Sequence, residues 1–124
     1  MSIGNRPVST HPRGTIFTVN LEPVVGSEQG GDRRPCVSVS KEEMSAGSTL
    51  IVVPFTKREE KFEGNPAYIV RVPRNQSGLD YDSVLLANQV RVVSKERLLK
   101  RIGPLSPQSM DKLEGALRYV QDLE

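Results

Sequence analysis

The side chains that most often carry covalent or metal chemistry are nearly missing from this chain. Its 124 residues include one cysteine, Cys36, and one histidine, His11. Two such residues cannot complete a zinc-type ligand set, and a single cysteine excludes an internal disulfide. Cys36 sits between Pro35 and Val37 in a β-like run and reads as a buried structural thiol. His11 belongs to a polar leader and reads as a surface residue. Any catalysis is therefore expected to do without Cys–His chemistry and without a soft metal. What remains is largely cationic: Arg33–Arg34, Lys57–Arg58 and the bases between Lys95 and Arg101. With a net charge of +2 and a pI near 8.8, the chain permits a polyanionic partner without requiring one. Residues 110–124 hold four acids (Asp111, Glu114, Asp122, Glu124) against two bases (Lys112, Arg118), so the rest is more basic than the total suggests. Taken singly, Arg34 ahead of a strand is an ordinary solvated charge. Thr56 is a residue that strand propensity favours, and Glu28 is a solvated loop carboxylate.

Such side chains act together only if the fold gathers them. The chain reads as one mostly β domain over 13–124, behind a loose leader at 1–12, and its length suits one modest core. Thr15–Leu21 (TIFTVNL) is β-branched and partly alternating, which predicts a strand. Pro35–Ser40 (PCVSVS) alternates cleanly, with Pro35 at the first position, where a missing N–H is tolerated. Thr49–Thr56 (TLIVVPFT) is the most apolar run and reads as a buried strand. Ala67–Val72 reads as a strand and Ser83–Val93 as one long strand bent near Asn88. Ser94–Arg97 then reads as a helical turn and Leu98–Ile102 as a short last strand. Between these lie a glycine-rich loop (VVGSEQGGDRR), a connection (KEEMSAGS), a charged loop (KREEKFEGN) and a turn-rich stretch (PRNQSGLDYD). The end predicts a helix: Ser106 as N-cap, Pro107 at the first position, and Met110, Leu113, Leu117 and Val120 at helical spacing. Gly115 costs that helix ~1 kcal/mol relative to Ala, and the pattern survives it. Short strands and one terminal helix suggest a small, strongly bent barrel with the helix packed outside. No apolar stretch reaches the ~18–20 residues that span a bilayer, and MSIGNRPVSTHPR lacks the apolar run of a secretory signal. With a lone cysteine suited to a reducing compartment, a cytoplasmic location is expected.

Composition stops at a β-rich domain, but the order of segments goes further. "RG" then "VNLEPVVGSEQGG", "RRPCVSVSKEEM", "IVVPFT" and "DSVLLANQVRVVSKERLLKRIGPLSPQSM" follow one another from Arg13 to near the C-terminus. None is diagnostic alone. In this order and spacing the chain resembles the MazF/PemK toxins of type II toxin-antitoxin systems. The resemblance implies a plus-β barrel related to SH3 barrels, of the CcdB/PemK type, and a homodimer. It implies a metal-independent, sequence-specific endoribonuclease that cuts single-stranded RNA, and a MazE-like antitoxin that occupies the same groove. The substrate's own 2′-OH would attack the neighbouring phosphate, leaving 2′,3′-cyclic phosphate and 5′-OH ends. Because the nucleophile then belongs to RNA, the protein needs no Ser–His pair, cofactor or metal. It needs groups that position the backbone and stabilise charge on the phosphate oxygens.

The same resemblance assigns roles. Arg34, directly before Pro35, matches the catalytic arginine, whose planar fork suits two phosphate oxygens. Thr56 matches the threonine closing the third strand, a donor to phosphate. Glu28 matches a loop acid that could take the 2′-OH proton, with Ser27 and Gln29 beside it as RNA contacts. Gln89 and Arg91, two apart and expected on one strand face, match RNA-reading positions, and Arg33, Lys57 and Arg58 are backbone-holding candidates. The chain departs from the pattern in three places. Asp32 and Arg33 lengthen the loop before Pro35, Val92 stands where a polar residue is common, and His11 does not match the histidine of some relatives. Tryptophan is absent, which leaves Phe17, Phe55, Phe62 and the tyrosines as stacking platforms. Two other readings stay open: a catalytically weak RNA-binding member, and a gyrase-inhibiting toxin of the CcdB type. The latter's terminal tryptophan signature has no counterpart here.

Overall fold

The computed structural model describes residues 11–57 and 62–123. Most of the leader and Arg58 therefore lie outside the described residues. The elements are β1 (Thr15–Val19), β2 (Arg34–Ser38), β3 (Thr49–Thr56), β4 (Ile69–Val72), β5 (Ser83–Leu86), β6 (Arg91–Ser94), β7 (Leu98–Pro104) and α1 (Pro107–Val120). They pair antiparallel in the order β4–β5–β3–β2–β1–β7, with β6 also on β3. This is the mostly β architecture with a C-terminal helix expected from the sequence.

The apolar run TLIVVPFT forms β3 from end to end, and every other strand is arranged around it. One edge pairs with β2, Val37 opposite Val53. The other edge carries two strands in turn, β6 along Thr49–Val52 and β5 along Phe55–Thr56. Between the pairs Val52–Arg91 and Phe55–Leu85, Leu86–Val90 of the partner stand against only Val53 and Pro54, so the ladder breaks around a short turn. That turn is Ala87–Gln89, a 3-10 turn. The expected single strand over Ser83–Val93 is therefore two strands. The break has a tertiary cause: Ala87 is fully buried, and its N–H donates to the Tyr68 carbonyl at 2.9 Å, which pulls the chain off the β3 edge.

Alternation along the strands separates two apolar clusters. Ile16, Val37, Val53 and Phe55 face one way and meet Leu113 and Ala116 of α1, with Val70, Val72 and Leu85. Phe17, Val19, Cys36, Leu50, Val52 and Val93 face the other way, with Leu98 packed on them. The helix begins as its sequence predicts: Ser106 Oγ accepts from the Ser109 N–H at 3.1 Å and Pro107 takes the first position. The turn after β6 is Lys95–Arg97, capped by Ser94, whose Oγ accepts from the Glu96 N–H.

His11 is not the surface residue expected of a leader. It is half-buried, edge-on to Phe17 with centroids 5.0 Å apart, and its backbone N–H donates to Ser45 Oγ at 3.0 Å. Burial, then Lys95 and Arg101, hold its pKa below the usual value. Ser45 is buried in a 3-10 turn, Glu42–Ala46, within what reads from sequence as a plain connection. Cys36 is the buried thiol expected, fully enclosed, with its titration pushed up to about 12 by burial against the pull of Arg34 and Arg91. Among the described residues, no helix is long and apolar enough to cross a membrane.

Candidate functional site

At the end of the sheet away from α1, the first-cluster face stops being apolar. Thr18 of β1 pairs with Pro35 on one side and Lys100 on the other, so the three stand abreast across β2, β1 and β7. They floor an open groove of about 900 Å³, together with Ile102 and the end of β3, Thr56–Lys57. Its walls are two loops, one carrying Gln29 and Gly31–Arg33, the other Gly78–Tyr81. Arg33, Arg34, Lys57 and Lys100 line it against Asp32 and Asp80. Four cations facing two carboxylates favour an anionic chain over a cationic one.

Arg34 is the best-fixed of these cations. It opens β2 half-buried, its Nε–H donating to the Gly30 carbonyl at 2.9 Å and its Nη1–H to the Phe55 carbonyl at 3.3 Å. Two of the five N–H donors of a guanidinium are thus tied to backbone, which fixes the plane of the fork before any ligand arrives. The Gly30–Gly31 turn is held in turn. Glu22 Oε2 accepts from the Gly31 N–H at 2.7 Å, and the Leu21 N–H donates to the Gly31 carbonyl at 2.8 Å. Arg97 Nη1 secures the other side, donating to the Glu22 carbonyl at 2.6 Å and to that of Asn20 at 3.0 Å. This packing favours glycine at both positions. Gly31 has φ +123°, and a Cβ there would lie 3.3 Å from Arg34 Nε; a Cβ on Gly30 would collide with Val24 Cγ1. Glycine alone adopts that φ freely and lets the guanidinium lie against the backbone.

Of the residues the sequence singles out, Arg33, Arg34, Gln29, Thr56 and Lys57 come together in the groove. Thr56 is only 6 % exposed, at its floor. Ser27 and Glu28 are exposed on the loop but do not line it. Glu28 turns back on its own loop, Oε1 accepting from the Val25 N–H at 2.9 Å. Gln89 lies in the 3-10 turn, not on a strand face with Arg91, and its Oε1 accepts from the Gln29 N–H at 3.1 Å. That bond latches the glycine-rich loop to the sheet. Arg91 is on β6, its Nη1 buried with no hydrogen-bond partner among the described residues, and it does not line the groove.

Sequence reasoning passed over Thr18, Asp80 and Glu22, and took in Lys100 and Tyr81 only as members of groups, the bases of Lys95–Arg101 and the tyrosines as stacking platforms. Thr18 and Lys100 meet only through the β1–β7 pairing, which has no local signal. Tyr81 carries one, as an aromatic in a turn-rich polar stretch. Its ring lies 4.5 Å from Lys57 Nζ. Burial raises the pKa of its hydroxyl, opposed by the Arg34 guanidinium and reinforced by Asp80.

Comparison with known proteins places the chain in a family. The family described as "PemK-like, MazF-like toxin of type II toxin-antitoxin system" matches residues 12–120. Endoribonuclease EndoA of Bacillus subtilis (strain 168) is 36% identical over 106 residues, 86% of this chain and 90% of that protein. The crystal structure of MazF from Deinococcus radiodurans superposes with a TM-score of 0.76 at 22% identity, covering 92% of this chain and 98% of that one. A MazE–MazF crystal structure from the same organism gives 0.70 at 19%, covering 93% and 98%. The two structures share the fold, and the match over nearly the whole length settles membership: this chain belongs to the PemK-like, MazF-like toxins of type II toxin-antitoxin systems.

Proposed function

We propose that this toxin is an endoribonuclease that cuts single-stranded RNA in the groove, residues 13–124 acting as one unit. The observation that carries the reading is the guanidinium of Arg34, pre-set by two backbone carbonyls at the head of β2 and flanked in the groove by Thr56, Lys57, Arg33 and Lys100. Donors fixed in advance where charge develops stabilise a transition state without reorganising. The relative from Bacillus subtilis bears the name endoribonuclease, which supports the same conclusion.

In the reaction, the RNA 2′-oxygen forms a bond to the adjacent phosphorus while the bond from phosphorus to the 5′-oxygen breaks. The 2′-OH gives up its proton and the departing 5′-oxygen gains one. The products are a 2′,3′-cyclic phosphate and a 5′-OH. Arg34 binds the non-bridging oxygens and Thr56 donates to one of them. Arg33, Lys57 and Arg58 hold flanking phosphates, and Gln29 and Ser27 are RNA contacts, while Arg91 lies outside the groove. Glu28 accepts the 2′-OH proton once the loop turns its carboxylate away from Val25. Gln89 holds the loop through Gln29. The chemistry calls on no metal or cofactor. The active species is a homodimer in the cytoplasm, and a MazE-like antitoxin inhibits it by covering the groove. A MazE–MazF pair is the subject of the Deinococcus radiodurans structure.

Incubation with a long unstructured RNA in EDTA, beside Arg34→Ala, tests the reading. Discrete fragments with cyclic phosphate ends, lost in the variant, support it. Intact RNA with folded protein refutes it and favours a binding role.

A further inference from the structure

A groove that holds single-stranded RNA gains from a flat ring on which a base can lie. Each stacked base strengthens binding roughly fivefold to a hundredfold, with little demand on sequence. The chain has three phenylalanines, three tyrosines and no tryptophan, and the structure disposes of them one by one. Phe17 and Phe55 are buried in the two apolar clusters. Phe62 and Tyr68 stand edge to face, 6.4 Å apart, packed on Ile69, Val84 and Leu86. Tyr119 is exposed on α1, and no residue of α1 lines the groove. Tyr81 is left, half-buried, as the groove's single Phe or Tyr.

The loop that presents it is tied down on both sides. The Arg74 N–H donates to Asp82 Oδ1 at 2.9 Å, the Leu79 N–H to Ser77 Oγ at 3.0 Å, and Leu79 packs on the helix-side core. The ring is thus held on a fixed support in the groove that Arg34 and Thr56 also line. Lys57 Nζ lies over the ring, 4.5 Å from its centroid, a cation–π contact that a stacking base displaces, freeing the ammonium for phosphate.

Resting on the RNA-cleaving reading above, we propose that Tyr81 is the nucleobase platform of this groove: the base adjoining the phosphate held by Arg34 stacks on its ring in place of the Lys57 ammonium, which swings to a phosphate of the same strand. The ring, not the hydroxyl, does the binding. A base held equally in ground and transition state changes KM and leaves kcat alone.

The test uses the full chain as wild type, Tyr81→Phe, Tyr81→Leu and Tyr81→Trp, each checked by thermal unfolding. A cleavable RNA supplies kcat and KM. An uncleavable oligonucleotide, 2′-deoxy at the cut site with 2-aminopurine beside it, reports stacking by fluorescence quenching. Tyr81→Phe is expected to match wild type in KM and quenching. Tyr81→Leu is expected to raise KM about tenfold, keep kcat within about twofold and lose the quenching. If the leucine variant does not fold, Tyr81→Trp decides: its larger ring is expected to lower KM and deepen quenching. An unchanged KM and full quenching in Tyr81→Leu overturn the proposal, as does a phenylalanine variant as impaired as the leucine one. A wild type that quenches without cutting refutes the nuclease reading and leaves the platform standing.

Discussion

The two ends of the sheet are built on different terms. Under α1, Ile16, Val37, Val53 and Phe55 meet Leu113 and Ala116 in an apolar layer. Two residues further along β1 on the same face, Ile16 gives way to Thr18; one residue beyond Phe55, β3 ends in Thr56 at the groove. The helix end is held by burial, which is non-directional and tolerant of small shifts. The groove end is held by directional bonds, carbonyl to guanidinium and carboxylate to amide, which fix atoms but bury little. Folding is therefore expected to depend on one end and turnover on the other.

The largest expected effect tests that division from the helix side. Leu113 is fully buried, and Leu113→Ala is expected to lose about 2–5 kcal/mol of unfolding free energy. In urea melts it should show this loss while the folded fraction keeps its RNA-cutting rate. Arg34→Ala is the mirror experiment: a fall of about 10²–10³ in single-turnover rate, with a much smaller shift in the urea midpoint. If Arg34→Ala unfolds the protein as readily as Leu113→Ala, the division fails.

Glu22 sharpens it. Glu22→Ala removes the acceptor of the Gly31 N–H and frees the turn that aims Arg34. A drop of about tenfold in kcat is expected, since a small misplacement of a reacting group can cost up to about 10²-fold. Glu22→Gln keeps an acceptor oxygen and is expected to restore most of the rate. A Gln variant as slow as Ala would assign the effect to charge rather than to aim. On the opposite end, Ser106→Ala removes the N-cap of α1 and is expected to cost about 1 kcal/mol, with unchanged kcat and KM. The smallest effect is confined to alkaline pH. The Cys36 thiol ionises near 9.0 when unfolded and only at about 12 in the fold. Above pH 9 the unfolded state therefore binds fewer protons than the folded one, and stability falls as pH rises through that window. Below it Cys36 contributes no pH slope, and the thiol should resist iodoacetamide until the protein is unfolded.

The same contrast governs what could be read in advance. β3 and the start of α1 were legible because each is local: an unbroken apolar run, and Ser106–Pro107 before a helical repeat. The order of segments carried the family and brought Arg34 and Thr56 to notice. Ser83–Val93 shows a bend near Asn88 in its sequence but not a full break, because the break at Ala87–Gln89 comes from a bond to Tyr68, far away in sequence. The meeting of Lys100 with Thr18 escaped because a β1–β7 register brings them together. Glu22 escaped because a loop carboxylate carries no spacing that distinguishes a latch from a solvated charge.

One bond crosses the division. The carbonyl that accepts from Arg34 Nη1 belongs to Phe55, a residue fully enclosed in the helix-side core. Any heating that loosens the packing around that ring also loosens the seat of the guanidinium. Cutting rate is then a thermometer for the core. Variants with a slackened interior are expected to be temperature-sensitive toxins, falling silent at temperatures where circular dichroism still reports an intact fold. Such alleles should cluster among the core side chains packed on the Phe55 ring, none of which touches RNA.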